Sequence, residues 1–160
     1  MPIGGIDITT YEALLFGHLG FVAIWLGTNT CLQLLALRAV GKGPEATASL
    51  LADVEWLGTR LLVPSSLLVL VFGFGLVGNI DGYELSQFWL AAALAVFAVS
   101  FLLGAGFLGP ESGRIGKLVD ERGASDPEVE RRIARIFLVS RIELVLLFLV
   151  VLDMVVKPGL

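Results

Sequence analysis

The sequence predicts an all-α fold: a four-transmembrane-helix bundle with cytoplasmic amphipathic segments before helices 2 and 4. Three observations predict it. The 160 residues are 56% hydrophobic and only 16% charged, where soluble domains carry about 45–50% and about 25%; mean hydropathy is +0.88. Four stretches, Tyr11–Ala36, Val63–Ile80, Leu85–Phe107 and Phe137–Val156, come close to or exceed the ~20 apolar residues that a spanning helix needs. Lysine and arginine are also segregated. Of eleven, all but Lys157 lie in or beside the connections between helices 1 and 2 and between helices 3 and 4. The positive-inside rule then places both connections in the cytoplasm and both termini outside. The spans use most of the chain, so residues 1–160 are expected to form a single integral membrane domain.

Other classes fall away on composition. The start of the chain has no basic segment, and its apolar run is too long for a signal sequence, so no cleavable signal peptide is expected. A single cysteine excludes an internal disulfide or a thiolate cluster. Basic residues are interleaved with acids and form no stripe, which argues against nucleic acid. The lipid bilayer is the expected partner.

Helix 1, about residues 11–40, opens with Thr9-x-x-Glu12. This is capping-box spacing, so Glu12 reads as a cap rather than a catalytic group. Gly41-Lys42-Gly43-Pro44 stops the helix and sets Pro44 at the first position of helix 2, about 45–80. Leu50, Val54, Leu57 and Leu61 give its early part an apolar stripe. Pro64 predicts a kink, because its ring displaces the carbonyl of Arg60, with Ser65 and Ser66 at hand to satisfy the freed groups. Asp81-x-x-Glu84 has capping-box spacing and opens helix 3, about 83–108, which Gly109-Pro110 ends. Glu111–Arg122 reads as a charged cytoplasmic segment. Ser125 and Glu128, again at capping-box spacing, open helix 4, about 126–157. The order of membrane helix, cytoplasmic segment and returning helix occurs twice, which suggests two hairpins packed as a bundle.

Polar groups in lipid should turn inward. At about 100° per residue, His18, Val22, Trp25 and Asn29 share one face of helix 1. The opposite face carries Gly20, Ala23, Gly27 and Cys31. Small residues spaced in this way bring membrane helices together, so a homo-oligomer through Gly20, Ala23 and Gly27 is expected. On helix 4, Ser140, Glu143, Leu147, Val150 and Met154 share a face. Depth sorts these groups into two layers: His18, Asp153 and Met154 in the outer half, and a polar network of Asn29, Ser65, Ser140, Arg141 and Glu143, with Gln33 and Ser66, in the cytoplasmic half. The network serves either to satisfy the Pro64 kink and the carboxylate, or as a path for protons or substrate.

His18, the only histidine, has three readings. It can ligate haem iron, with Met154 as the one protein partner of suitable type. It can titrate or bind a soft metal with Met154 and Cys31. It can also be structural, bonded to Asp153 or to a backbone carbonyl. No set of residues identifies a catalysed reaction, so the sequence leaves open whether the chain is an enzyme.

The run His18-Leu-Gly-Phe-Val-Ala-Ile-Trp25-Leu-Gly27, the proline-containing second helix and Asp153-Met154-Val-Val-Lys157-Pro158-Gly159 resemble an uncharacterised family of bacterial four-helix integral membrane proteins. The first-helix motif is also similar to the membrane part of copper-resistance protein D and to the HemJ-type protoporphyrinogen oxidase. The resemblance implies a bacterial cytoplasmic (inner) membrane location and a haem b site with His18 as iron ligand. The leading expectation is thus a haem b-binding membrane protein, a redox or haem-handling component, with Trp25 and Met154 lining the pocket. The alternative is a small transporter of an ion, proton or metal, or an accessory subunit of a larger membrane complex.

Overall fold

A computed structural model describes residues 2–3 and 6–159. Pro2–Ile3 pairs antiparallel with Ile6–Asp7, and the rest of the fold is helical. The helices are α1 (Thr10–Val40), α2 (Pro44–Leu57), α3 (Val63–Asn79), α4 (Phe88–Leu103), α5 (Gly109–Arg122) and α6 (Pro127–Val156). A π-helical turn, Gly58–Leu62, joins α2 to α3, and a second, Gly104–Leu108, joins α4 to α5. Three continuous rods are therefore long and apolar enough to cross a membrane: Thr10–Val40, Pro44–Asn79 and Phe88–Arg122. α6 is of similar length, but Arg141, Glu143 and Asp153 interrupt its apolar part.

α1 packs along α3, α4 along α6, and α1 also meets α6. α3 and α4, although consecutive in sequence, share no extended contact. Glycines set the close approach of α1 and α3. A Cβ on Gly17 would lie within 2.7 Å of the Phe72 ring, and one on Gly75 would lie 2.8 Å from Leu14. The outer surface is apolar, with Phe16 81% and Phe88 71% exposed, a surface suited to lipid rather than water. Gly20, Ala23 and Gly27 lie on the far side from these contacts. Nothing comes within 4 Å of a Cβ built on Gly20 or Gly27.

The highly charged end is a second, smaller bundle. α2 lies against α5, and Leu51, Ile115 and Val129 are almost wholly buried with Ala36, Ile133, Ile136 and Phe137. The amphipathic segment thus packs beneath the membrane bundle. Polar groups here are satisfied locally. Thr47 donates to the Gly43 carbonyl and Ser112 to the Leu108 carbonyl. Buried Glu111 accepts from Arg132 at 2.9 Å, which ties α5 to α6.

Three local expectations need correction. Gly109-Pro110 does not end a helix: the π turn before it lets the rod continue into α5 without the proline's missing donor breaking the path. Pro64 also follows a π turn, inside the continuous rod Pro44–Asn79. Asp81 and Glu84 form no capping box. α4 starts only at Phe88, and Gln87 closes the preceding loop by donating to the Gly82 carbonyl and accepting from the Glu84 amide. Tyr83 is drawn out of helical register to pack edge-on against Trp89, with ring centroids 5.2 Å apart. At α6 the cap is Asp126 rather than Ser125, because Pro127 takes the first helical position; Asp126 accepts from the Glu128 amide at 2.9 Å. The Thr9–Glu12 capping box forms as read, with both reciprocal bonds present.

Glu128 is instead engaged by arginines. Hydrogen bonds from Arg132, then Arg131, hold its carboxyl below the ordinary glutamate value. A lowered folded-state value means that the stabilisation is complete above the unfolded value, about 4.3, and is lost as pH falls through the folded one. The melting-temperature difference between wild type and Glu128→Gln is therefore expected to be constant above about pH 5 and to shrink on acidification. Thermal melts in detergent from pH 7 to pH 3 check this. A difference independent of pH would remove the ion pair as its cause.

Candidate functional site

Two cavities lie inside the bundle, one above the other, with Trp25 in the wall of both. Trp25 is buried between Val69 and Leu147 and meets Phe97 edge-on, with centroids 5.6 Å apart.

The first cavity, toward the end that carries the termini, measures about 290 Å³ and is almost entirely apolar. His18, Trp25 and Met154 all line it. His18 Nδ1 lies 3.0 Å from the Val69 carbonyl oxygen. A carbonyl can only accept, so Nδ1 carries the proton and Nε2 keeps its lone pair. Of the structural partners considered for His18, the carbonyl is the one used; Asp153 is not, and its Oδ2 is buried without a partner. Gly73 makes room for the ring, since a Cβ there would lie 3.2 Å from His18 Cε1. At the mouth, Lys157 donates to the Tyr83 hydroxyl and stands over the Tyr83 and Trp89 rings. Its left-handed backbone, φ 46°, turns the chain back over the end of α6. Trp89 also lines the cavity, and its Nε1 is buried without an acceptor.

The second cavity, toward the charged end, measures about 350 Å³. Asn29, Gln33, Ser66, Ser100, Ser140 and Glu143 line it, with residues of both π turns. Gln33 donates to Ser140 at 2.7 Å, which joins α1 to α6. Glu143 is 3% exposed and forms no ion pair among the described residues. Its Oε1 lies 3.5 Å from where a Cβ on Gly104 would be, so the missing side chain opens its place beside the second π turn.

The polar network expected from sequence is therefore only partly assembled. Asn29, Ser140 and Glu143 share the cavity. Ser65 is buried but lines neither cavity, whereas Ser66, which donates to the Val63 carbonyl, lines the second. Arg141 is exposed, on the face of α6 away from Glu143. Cys31 is exposed and far from both His18 and Met154 in the wall of neither cavity, so it joins no soft-metal set; no cluster of three or more His, Cys, Asp or Glu occurs among the described residues.

Sequence reading missed Ser100, Gly73, Trp89 and both π turns. For Ser100 a signal existed: it is the one hydroxyl in the apolar run of α4. The π turns had a weaker one, since Pro64 and Pro110 each fall six residues after a glycine, Gly58 and Gly104.

Together these features define a helical membrane-type protein in which, among the described residues, two cavities adjoin at Trp25. No family model, no characterised protein and no solved structure was found to match the chain.

Proposed function

We propose that the chain is a four-span integral membrane protein that binds haem b in the first cavity. α6 serves as the fourth span, since Glu143 is turned into the bundle and Arg141 lies close enough to the charged end for its stem to reach the interface. The charged end faces the cytoplasm by the positive-inside rule, in a bacterial inner membrane as the sequence resemblance implies. The observation that carries the haem reading is the setting of His18: Nδ1 is tied to a backbone carbonyl, as in metal-binding imidazoles, and the residue lines an apolar cavity.

The donor set suits the group. His18 would take the iron, with Met154 lining the same cavity and Trp25 at its boundary with the second. Lys157 and the unpartnered Trp89 N–H would receive the carboxylates. The volume is at the low end of small-molecule sites, about 300–1,000 Å³, so the rim must open to admit a macrocycle. When bound, haem supplies one-electron chemistry at iron. The protein's own residues fix the imidazole, exclude water and neutralise the anionic edge.

Protein produced with ample haem is expected to show a Soret band that His18→Ala removes or shifts. Absence of the band overturns the reading; a band unchanged in His18→Ala overturns His18 as the ligand. A second reading, a small transporter or an accessory subunit of a larger membrane complex, is favoured by the uncompensated carboxylate of Glu143. It predicts a substrate-coupled flux that Glu143→Gln abolishes.

A further inference from the structure

The second cavity has an unusual balance of charge and hydrogen-bonding capacity. Two carboxylates line it, Glu55 near the exposed charged end and Glu143 deep inside, and no lysine, arginine or histidine does. Its hydrogen-bond donors are largely committed elsewhere. The Asn29 amide donates to the Trp25 carbonyl, the Gln33 amide to Ser140, the Ser140 hydroxyl to the Phe137 carbonyl and the Ser66 hydroxyl to the Val63 carbonyl. What remains on these groups is their oxygen lone pairs and one further N–H on each amide. Ser100 is fully buried, lines the same cavity, and its oxygen has no partner at all.

The backbone adds two more acceptors. Val63 N–H bonds to the Gly58 carbonyl, and Gly109 N–H to the Gly104 carbonyl. This takes away the ordinary i+4 donor of Thr59 and of Ala105. The next residue along, which would serve in π register, is Pro64 in one case and Pro110 in the other, and proline has no N–H. The carbonyls of Thr59 and Ala105 are thus left without a helix donor at matching places in two rods, and both residues line this cavity. Non-helical backbone at membrane depth is tolerated where it lines a polar cavity, and single π turns are frequent at functional sites.

An oxygen-rich chamber with one inner carboxylate and no protein cation calls for a positive guest. Soft metals need sulfur or imidazole, and calcium takes six to eight oxygens, usually with several carboxylates. One buried carboxylate balances one positive charge. We propose that the second cavity is a binding site for a monovalent alkali-metal cation, held by the Glu143 carboxylate with Ser100 Oγ, Asn29 Oδ1 and the freed π-turn carbonyls. Glu55 stands at the charged end of the same cavity and marks the way in. The site stands whether or not haem occupies the first cavity and whether or not ions cross the membrane.

The test is thermal unfolding of the full chain in detergent at constant ionic strength, with choline chloride replaced stepwise by sodium, potassium or lithium chloride. A ligand that binds only the folded state raises the melting temperature with concentration. A saturable rise is expected with at least one alkali cation and not with choline. Ser100→Ala should raise the half-saturating concentration at least tenfold with the fold intact. Glu143→Gln should abolish the response, and His18→Ala should leave it unchanged. Equal melting in all four salts overturns the proposal, as does a response that persists in Glu143→Gln or one that His18→Ala also removes. If Glu143→Gln fails to fold, Ser100→Ala decides: an unaltered half-saturation sinks the assignment.

Discussion

Gly73→Leu is expected to lower the affinity of a His18-ligated haem by about 10–100-fold, the range for loss of a group that orients a metal ligand. Even a single Cβ at this position would lie 3.2 Å from His18 Cε1 and 3.3 Å from Nδ1. A leucine must therefore displace the ring, and displacement breaks the 3.0 Å bond to the Val69 carbonyl that fixes the proton on Nδ1. Gly73→Ala demands only a few tenths of an ångström from the ring and should fall between wild type and Gly73→Leu. Haem titration followed at the Soret maximum checks the order. If Gly73→Leu binds as tightly as wild type, the imidazole is not held by the α1–α3 contact in the way described. The small residue matters here for where it lets a neighbour stand, not for its own backbone freedom.

The second large effect lies at the charged end. Ile115→Ala is expected to destabilise the protein by about 2–5 kcal/mol, the usual cost of truncating a large buried aliphatic side chain. Ile115 of α5 is wholly buried among Leu51 of α2 and Val129 and Ile133 of α6, so little can collapse into the void. This region has an aqueous reference state, unlike the lipid-facing spans, and the hydrophobic term applies in full. Urea melts monitored by hydrogen exchange at α2 and α5 should show the loss. A change below about 0.5 kcal/mol, typical of surface substitutions, would mean that the small bundle is not a packed unit. Arg132 adds to that unit by joining Glu111 of α5 to α6. Its half-exposed position makes it a minor contributor beside the apolar core.

Helical periodicity and proline punctuation made most of the architecture readable. The limits of α1, of the α2–α3 rod and of α6 fall within a residue or two of those expected, because each end is marked by a cap, a glycine or a proline. The start of α4 was misread because Asp81 and Glu84 have the right spacing for a cap, while Tyr83 between them has a stronger claim on Trp89 and Lys157. The passage from α4 to α5 was misread because Gly109-Pro110 looks like a terminator. A π turn is invisible to a rule built on i+4 bonding. The two polar layers were legible from depth and face alone, which bring His18 and Met154 to one cavity and Asn29, Ser140 and Glu143 to the other. Arg141 shares the depth of the network, but its direction on the helix, about 200° from Glu143 at ~100° per residue, puts it outside. Ser100 escaped because a lone hydroxyl in an alanine-rich helix carries no periodic signal; only the packing makes it a buried group without a partner.

Trp25 forms part of the wall of both cavities, and that has a thermodynamic consequence. Only a guest that shifted the indole would alter the shape of the other cavity, and only then would the two occupancies be linked; a guest that leaves Trp25 in place leaves the two sites independent. Linkage of this kind is reciprocal: whatever factor the ion changes the affinity for the upper guest, the upper guest changes the affinity for the ion by the same factor. The indole is also an optical probe. With Trp56 replaced by phenylalanine, the remaining emission comes from Trp25 and Trp89, both in cavity walls, and would report the filling of either cavity.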